Sequence, residues 1–319
     1  MVTDVLVIGA GPVGLYAAFY VAWRGLRVVI ADARPEPGGQ LAALYPDKVM
    51  YDVPGFVEVR AGALVQHLVR QLDLPGVTWR LGETVQGLAP EEEGWVAALP
   101  GGAVRAGAVI LAGGLGALQP RAASVPGAGS LPTFTDVMDA RTLAPRRALV
   151  WGGVPQATRM AVDLADAGAH VTLAHRRALF RGSPEDLARL DALRAKGTLE
   201  VRAPADLQSL RAEEAVLDDV AVPVDVAFVL NGYLPDLAPL QGVRGLTWDG
   251  EYVVADEVGR TTLPGVFVAG DLSSSGGSFK LLSRGFSDAA LTANHAAHHV
   301  NPDLKVRPGH SSDKRRPAR

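Results

Sequence analysis

The stretch that most constrains this chain lies at its start. Val5-Leu6-Val7-Ile8 runs straight into Gly9-Ala10-Gly11-Pro12-Val13-Gly14 and then into a helical segment. A strand, a glycine turn and a helix in that order build an anion site. Gly9 permits the tight turn, Gly11 leaves the backbone open to a pyrophosphate, and Gly14 lets the helix pack closely on the strand. The helix start offers free N–H groups and positive dipole charge. The second strand of such a unit ends about 20 residues on in an acid that binds a ribose. Here Arg27-Val28-Val29-Ile30-Ala31 is followed by Asp32. Glycines alone are weak evidence, but strand, glycines, helix, strand and acid in register predict a dinucleotide-binding unit.

A second copy opens at Ala148-Leu149-Val150-Trp151-Gly152-Gly153 and continues Val154-Pro155-Gln156-Ala157. The pattern calls for Gly-x-Gly-x-x-Ala. Gly152, Gly153 and Ala157 fit around it, but Val154 replaces the glycine that lets a pyrophosphate approach. A β-branched side chain there pushes phosphates away and disfavours any positive φ. Pro155 can still start the helix, with the loss of one donor. Weakened pyrophosphate binding is the expectation, and Arg159 on the following helix is a candidate to compensate. The specificity end is kept. Val171-Thr172-Leu173-Ala174 ends in His175-Arg176-Arg177, with Arg181 further on. An NAD site wants an acid there, whereas arginines suit the 2′-phosphate of NADP, because a guanidinium binds phosphate bidentately. A solvated basic turn is the alternative.

Length and pattern predict an α/β protein with two Rossmann-like dinucleotide-binding domains of the three-layer ββα type. Gly62 to Leu72 reads as a helix and Val77 to Gly114 as a small meander. Tyr252-Val253-Val254-Ala255 and Gly265-Val266-Phe267-Val268-Ala269 read as strands of the first domain, so the chain returns to it. The expected division is 1–117 and 232–319 for the first domain and 118–231 for a second inserted into it. The last helix is expected from about Phe286 to Val300. The apolar run from Val5 to Trp23 lacks a basic leader and is broken by glycines and Pro12, so it reads as a buried unit rather than a membrane span.

Composition removes other classes. A net charge of −3 argues against non-specific nucleic-acid binding. With no cysteine there is no disulfide, no thiolate metal site and no CxxC relay. His295, His298 and His299 share a helix face near its end, where partly cationic histidines are favourable, and no metal is expected. Ser273-Ser274-Ser275-Gly276-Gly277-Ser278 reads as a flexible turn, Glu91-Glu92-Glu93 as a solvated one, and the basic tail from Lys314 as a solvated end. No GxSxG elbow supports a hydrolase, and no acid–base pair stands out, as suits chemistry carried by a cofactor.

Further motifs add a resemblance. They are Gly38-Gly39-Gln40-Leu41 with Ala43-Leu44-Tyr45-Pro46, Tyr51-Asp52 with Gly55-Phe56, Ala112-Gly113-Gly114 with Gln119-Pro120-Arg121, Gly270-Asp271, and Pro308-Gly309-His310-Ser311-Ser312. Over nearly its whole length the chain resembles the bacterial ferredoxin/flavodoxin–NADP reductases of the thioredoxin-reductase-like type. That resemblance implies a homodimer passing electrons from NADPH, through non-covalent FAD, to ferredoxin or flavodoxin; a cytoplasmic location is expected from the absence of cysteine. It implies FAD contacts at Gly9, Gly11, Pro12, Gly14, Asp32, Gly39, Gln40, Leu41, Tyr45, Gln119, Pro120, Gly270 and Asp271. It implies NADP contacts at Gly152, Gly153, Ala157, His175, Arg176, Arg177 and Arg181. Asp271 would accept from a ribitol hydroxyl, and the last helix would aim its amino end at the pyrimidine edge of the flavin. Tyr51 would stack on one face of the ring and His310, supplied by the partner subunit, on the other, with Ser312 beside it. Left open are a flavoprotein of the same fold with weak or lost NADPH use that takes electrons from another donor or senses redox state, a quinone or disulfide reductase with an external thiol partner, and a structural role.

Overall fold

A strand that is apolar at every position must be buried on both faces, and Val5-Leu6-Val7-Ile8 is. The Val2–Ile8 strand lies parallel between Val28–Asp32 and Val104–Leu111. Val5 and Val7 join one core with Leu15, Ala18 and Ile110, while Leu6 and Ile8 join another with Val29, Val109 and Leu111. The computed structural model describes residues 1–121, 124–138, 140, 147–276 and 279–313, so the basic tail and residues 277–278 of the serine-glycine turn lie outside the described residues.

The chain divides into two compact units, Met1–Leu118 with Pro235–Arg319, and Gln119–Leu234. The second junction falls at Leu234–Pro235 rather than at 231–232, inside the Tyr233–Asp236 strand, which pairs with Ala117–Pro120.

Among the described residues the first unit carries a seven-stranded sheet. Thr78 to Leu81, expected in the meander, instead belong to Val77–Leu81, which extends the parallel sheet beside Val28–Asp32. The meander proper is Gly87–Glu91, Gly94–Ala98 and Val104–Leu111. The last of these strands closes the meander on one side and pairs with Val2–Ile8 on the other. The chain does return: Val266–Val268 lies parallel to Val104–Leu111. Tyr252–Val253 does not join this sheet and forms a small hairpin with Trp248–Asp249. The terminal helix is Leu282–Val300, one turn longer at its start than expected. Its N-cap, Leu281, has no capping side chain, so no residue type marked that end.

Among its described residues the second unit holds a five-stranded parallel sheet: Thr133–Phe134, Val226–Val229, Arg147–Trp151, His170–Ala174 and Leu199–Arg202. Val150 and Leu173 face a helical layer through Met160 and Leu164. Leu149 and Ala227 face the antiparallel sheet Leu207–Arg211, Glu214–Leu217 and Val220–Pro223 through Leu210 and Leu217. That is a helix, sheet, sheet sandwich.

At Gly14 an added Cβ would stand 1.9 Å from the Gly9 carbonyl oxygen, whereas at Gly87 it would meet nothing within 4 Å. Gly14→Ala should therefore destabilise by about 2–3 kcal/mol, and Gly87→Ala by no more than about 0.5 kcal/mol. Urea unfolding of both variants checks this; equal midpoints would contradict it.

Candidate functional site

The parallel strands of the first unit end at a cleft of about 560 Å3, within the range of small-molecule sites. Its floor is the glycine turn, where each glycine serves a different need. Gly9 has φ +111°, and a Cβ there would sit 2.4 Å from the Ala112 carbonyl oxygen. Gly14 meets Gly9 as described. Gly11 caps the Pro12–Trp23 helix with ordinary angles, φ −68° and ψ 176°, but an added Cβ would meet nothing within 4 Å. Its lack of a side chain leaves space for something else. No side chain caps this helix, so its first N–H groups remain for an anion.

Asp32 closes one side. Its Oδ2 accepts from Ala10 N at 2.6 Å and its Oδ1 from Arg34 N at 2.8 Å. Burial pushes the carboxyl up from its usual range, and those two N–H groups and the Arg34 charge pull it back. Each oxygen retains a lone pair for a further donor.

The segment Gly38-Gly39-Gln40-Leu41 is more than a turn. Gly38 N donates to Ala10 O at 2.8 Å, and a helix runs Gly39–Leu44. A Cβ on Gly39 would stand 2.9 Å from Gly11 Cα, so this glycine lets two backbones meet. Gly9, Gly11, Pro12, Asp32, Gly39, Gln40, Leu41, Tyr45, Tyr51 and Asp271 all line the cleft. Tyr51 is 71% exposed, an open aromatic ring on a binding wall. Burial and the charge of Asp271 raise the Tyr45 phenol above its ordinary range.

Other expected residues stand elsewhere. Gly14 and Gly270 shape the cleft from behind: a Cβ on Gly270 would meet Val13 at 3.0 Å. Gln119 and Pro120 are not among the lining residues, although Leu118 is. Nor are His310 and Ser312, which lie exposed near the end of the chain, with His310 N donating to Asp313 Oδ2 at 2.9 Å. Sequence reasoning missed Lys48, Thr84, Lys280, Leu281 and Leu282, all of which line the cleft. None carries a motif; only the register of the last helix could have pointed to Leu281 and Leu282.

The second unit repeats the loop. Val154 caps the Pro155–Asp166 helix at φ −86° and ψ 158°, nearly the conformation of Gly11. No positive φ is required, so the expected backbone penalty at Val154 is absent. What differs is space, since an isopropyl group stands where the first loop is open. Gly152 keeps the close approach: a Cβ would lie 2.0 Å from Leu230 O and 3.3 Å from the Ala157 Cβ. Gly153 has a different neighbour. A Cβ there would be 2.3 Å from His175 Nε2, so the imidazole lies against the loop. Arg181 donates to Gly153 O from both N and Nε, at 3.3 Å each. His175 and Arg181 are thus tied to the glycine turn itself, beside exposed Arg176 and Arg177. Burial, then the charges of Arg176, Arg177 and Arg181, hold His175 below the usual histidine range. Arg159, the candidate to compensate for Val154, pairs with Asp163 at 3.0 Å and Asp186 at 3.8 Å.

His295, His298 and His299 line a separate cavity of about 220 Å3 with Arg260. Arg260 Nη2 bonds His295 Nδ1 at 3.0 Å and His298 Nδ1 bonds Leu304 O at 2.8 Å. Among the described residues no group of histidines and carboxylates is arranged to hold a metal ion, and no helix is long and apolar enough to cross a membrane.

Gly11→Val should fold with a stability change under about 1 kcal/mol, since its Cβ meets nothing within 4 Å, yet purify without its dinucleotide. Absorbance of the purified variant reads this; full retention would contradict the role given to the open space.

Residues 3–297 match the family model described as pyridine nucleotide-disulphide oxidoreductase. The ferredoxin–NADP reductase of Thermus thermophilus is 39% identical, across 99% of this chain and 98% of its own. That of Salinispora arenicola is 38% identical, across 97% and 98%. Among solved structures, the thioredoxin reductase of Lactococcus lactis aligns with a TM-score of 0.61 at 22% identity, covering 93% of this chain and 99% of its own. The bacillithiol disulfide reductase of Staphylococcus aureus gives 0.62 at 17% identity, covering 92% and 98%. These two likenesses show the fold, a pair of Rossmann-like modules. On sequence over nearly its full length, the chain belongs to the pyridine nucleotide-disulphide oxidoreductase family, alongside the ferredoxin–NADP reductases.

Proposed function

We propose that this protein is an FAD-dependent ferredoxin–NADP reductase, passing electrons between NADPH and a ferredoxin or flavodoxin. The observation that carries the reading is the pair of glycine loops in one chain, the first open at Gly11 and the second joined to a basic cluster at His175, Arg176, Arg177 and Arg181.

The first cleft fits FAD: it has an uncapped helix start, space over Gly11 and the Asp32 carboxylate beside them. FAD supplies the chemistry, accepting a hydride from NADPH and giving electrons up one at a time. The chain holds and orients. Gly11 and the helix N–H groups take the pyrophosphate, and Asp32 takes the ribose. Gly39, Gln40, Leu41 and Tyr45 line the wall, and Asp271 accepts from the ribitol. The amino end of Leu282–Val300 favours negative charge at the pyrimidine edge, and Tyr51 offers its open ring for stacking. Domain roles follow, with FAD in the discontinuous unit and NADP(H) in the inserted one.

The reading includes a cytoplasmic homodimer in which His310 and Ser312 reach the partner's flavin. Two observations support the dimer. His310 and Ser312 do not line the cleft of their own chain. Pro12–Trp23 has no charged residue, and its half-buried Tyr16, Phe19, Tyr20 and Trp23 form an aromatic stripe with Phe286. A helix apolar all round is one that something covers.

Val154 favours a second reading, in which the same flavoprotein uses NADPH poorly and draws on another donor. Steady-state reduction of ferredoxin separates the two. Arg176→Ala with Arg177→Ala should raise KM for NADPH at least about tenfold, as expected for lost charge-assisted bonds to a 2′-phosphate, with little change for NADH. An unchanged KM would sink NADP recognition at this cluster. Val154→Gly should lower KM for NADPH by about tenfold if the side chain crowds the pyrophosphate. No change would remove the second reading's motive.

A further inference from the structure

Lys280 closes the return from the turn at Asp271 to the terminal helix. Its Nζ donates to Asp271 O and to Ser273 O, 3.0 Å each, and lies 4.2 Å from the centre of the Tyr252 ring. An ammonium has three N–H groups and no acceptor. Two carbonyls and one aromatic face engage it on three sides. One half-buried side chain therefore ties together the 271–273 turn, the Tyr252–Val253 strand and the residue before the helix N-cap. Lys280, Asp271, Leu281 and Leu282 all line the first cleft.

We propose that Lys280 is a positioning residue, which fixes Asp271 and the amino end of Leu282–Val300 as one wall of the cofactor cleft and gives that wall a positive charge. The proposal rests on the reading of the cleft as the FAD site.

The charges around Asp271 show why one cation matters. Burial raises the Asp271 carboxyl, Lys280 lowers it, and Asp288 on the terminal helix raises it again. Asp288 is itself paired with Arg284 at 2.7 Å, and Tyr45 faces Asp271 from the end of the Gly39–Leu44 helix. Lys280 is thus the group that favours the anion. Without it Asp271 takes up its proton at higher pH, and a protonated carboxyl is a poorer acceptor for a hydroxyl. The lost charge also disfavours reduced flavin, which is negative, over oxidised flavin.

The test uses the holoenzyme with Lys280→Met, Lys280→Arg, and Lys280→Met combined with Asp271→Asn. FAD release on dilution is followed by flavin fluorescence from about pH 5 to pH 8, and the midpoint potential is measured against a redox dye. Lys280→Met should raise the FAD dissociation constant about tenfold. It should also move the acid limb of FAD retention to higher pH and lower the potential. Lys280→Arg should restore the potential, and the double variant should lose the shifted limb. A Met variant with the parent's retention, limb and potential overturns the inference alone. Weaker retention with an unmoved limb and potential also overturns it, since a mere space-filler would behave so. A parent that holds no FAD overturns both the inference and the cofactor reading.

Discussion

The Pro12–Trp23 helix lies so close to the turn before it that a methyl group on Gly14 would stand 1.9 Å from the Gly9 carbonyl oxygen. That approach brings the uncapped helix start to the carboxyl ends of Val2–Ile8 and Val104–Leu111, where partial positive charge and unpaired N–H groups meet an open space. The rest of the first cleft is arranged around it. Asp32 is held by the Ala10 N–H within the turn, and Gly39 rests on the backbone of Gly11. Gly270 leans on Val13 of the same helix. Widening the helix–strand gap by one methyl would disturb all of these together.

The second unit shows what such a loop keeps and what it can vary. The backbone is retained, with an extended cap residue and a proline at the first helical position in both copies. The contents of the space above it are not. Val154 fills what Gly11 leaves open, and His175 lies on Gly153. With Arg181 bonded to the Gly153 carbonyl, the basic cluster and the glycine turn form one local structure. Under the proposed function, phosphate recognition in this unit would lean on arginine charge more than on backbone approach, a balance set by the side chains at 153–154 and 175–181.

Much of this was legible because it rests on backbone demands that few residues satisfy. The strand-turn-helix of Val5 to Gly14, the acid at Asp32, the basic end at His175 and the return through Val266–Val268 all announce themselves in residue type. Less was legible where tertiary contact decides. Val77–Leu81 alternates like a meander strand yet pairs in parallel with Val28–Asp32, because register with a neighbour, not local pattern, chooses its partner. The terminal helix begins at Leu282 with an apolar cap, so nothing local marked it. Lys280 escaped notice because a lone lysine becomes informative only when Asp271, Ser273 and Tyr252 are seen around it. The strain expected at Val154 failed for a related reason. Glycine there serves clearance, and a sequence cannot say which of its two virtues a glycine supplies.

The proposed function requires an open loop that holds a flavin and a basic module that delivers electrons to it from NADPH. An anaerobic titration of the purified protein with NADPH, and in parallel with NADH, tests it most directly through the oxidised flavin absorbance. Rapid bleaching by NADPH and little by NADH is the expected result. A protein that stays yellow with both nucleotides but bleaches with dithionite would contradict it, leaving a flavoprotein whose second module no longer serves as the electron entry.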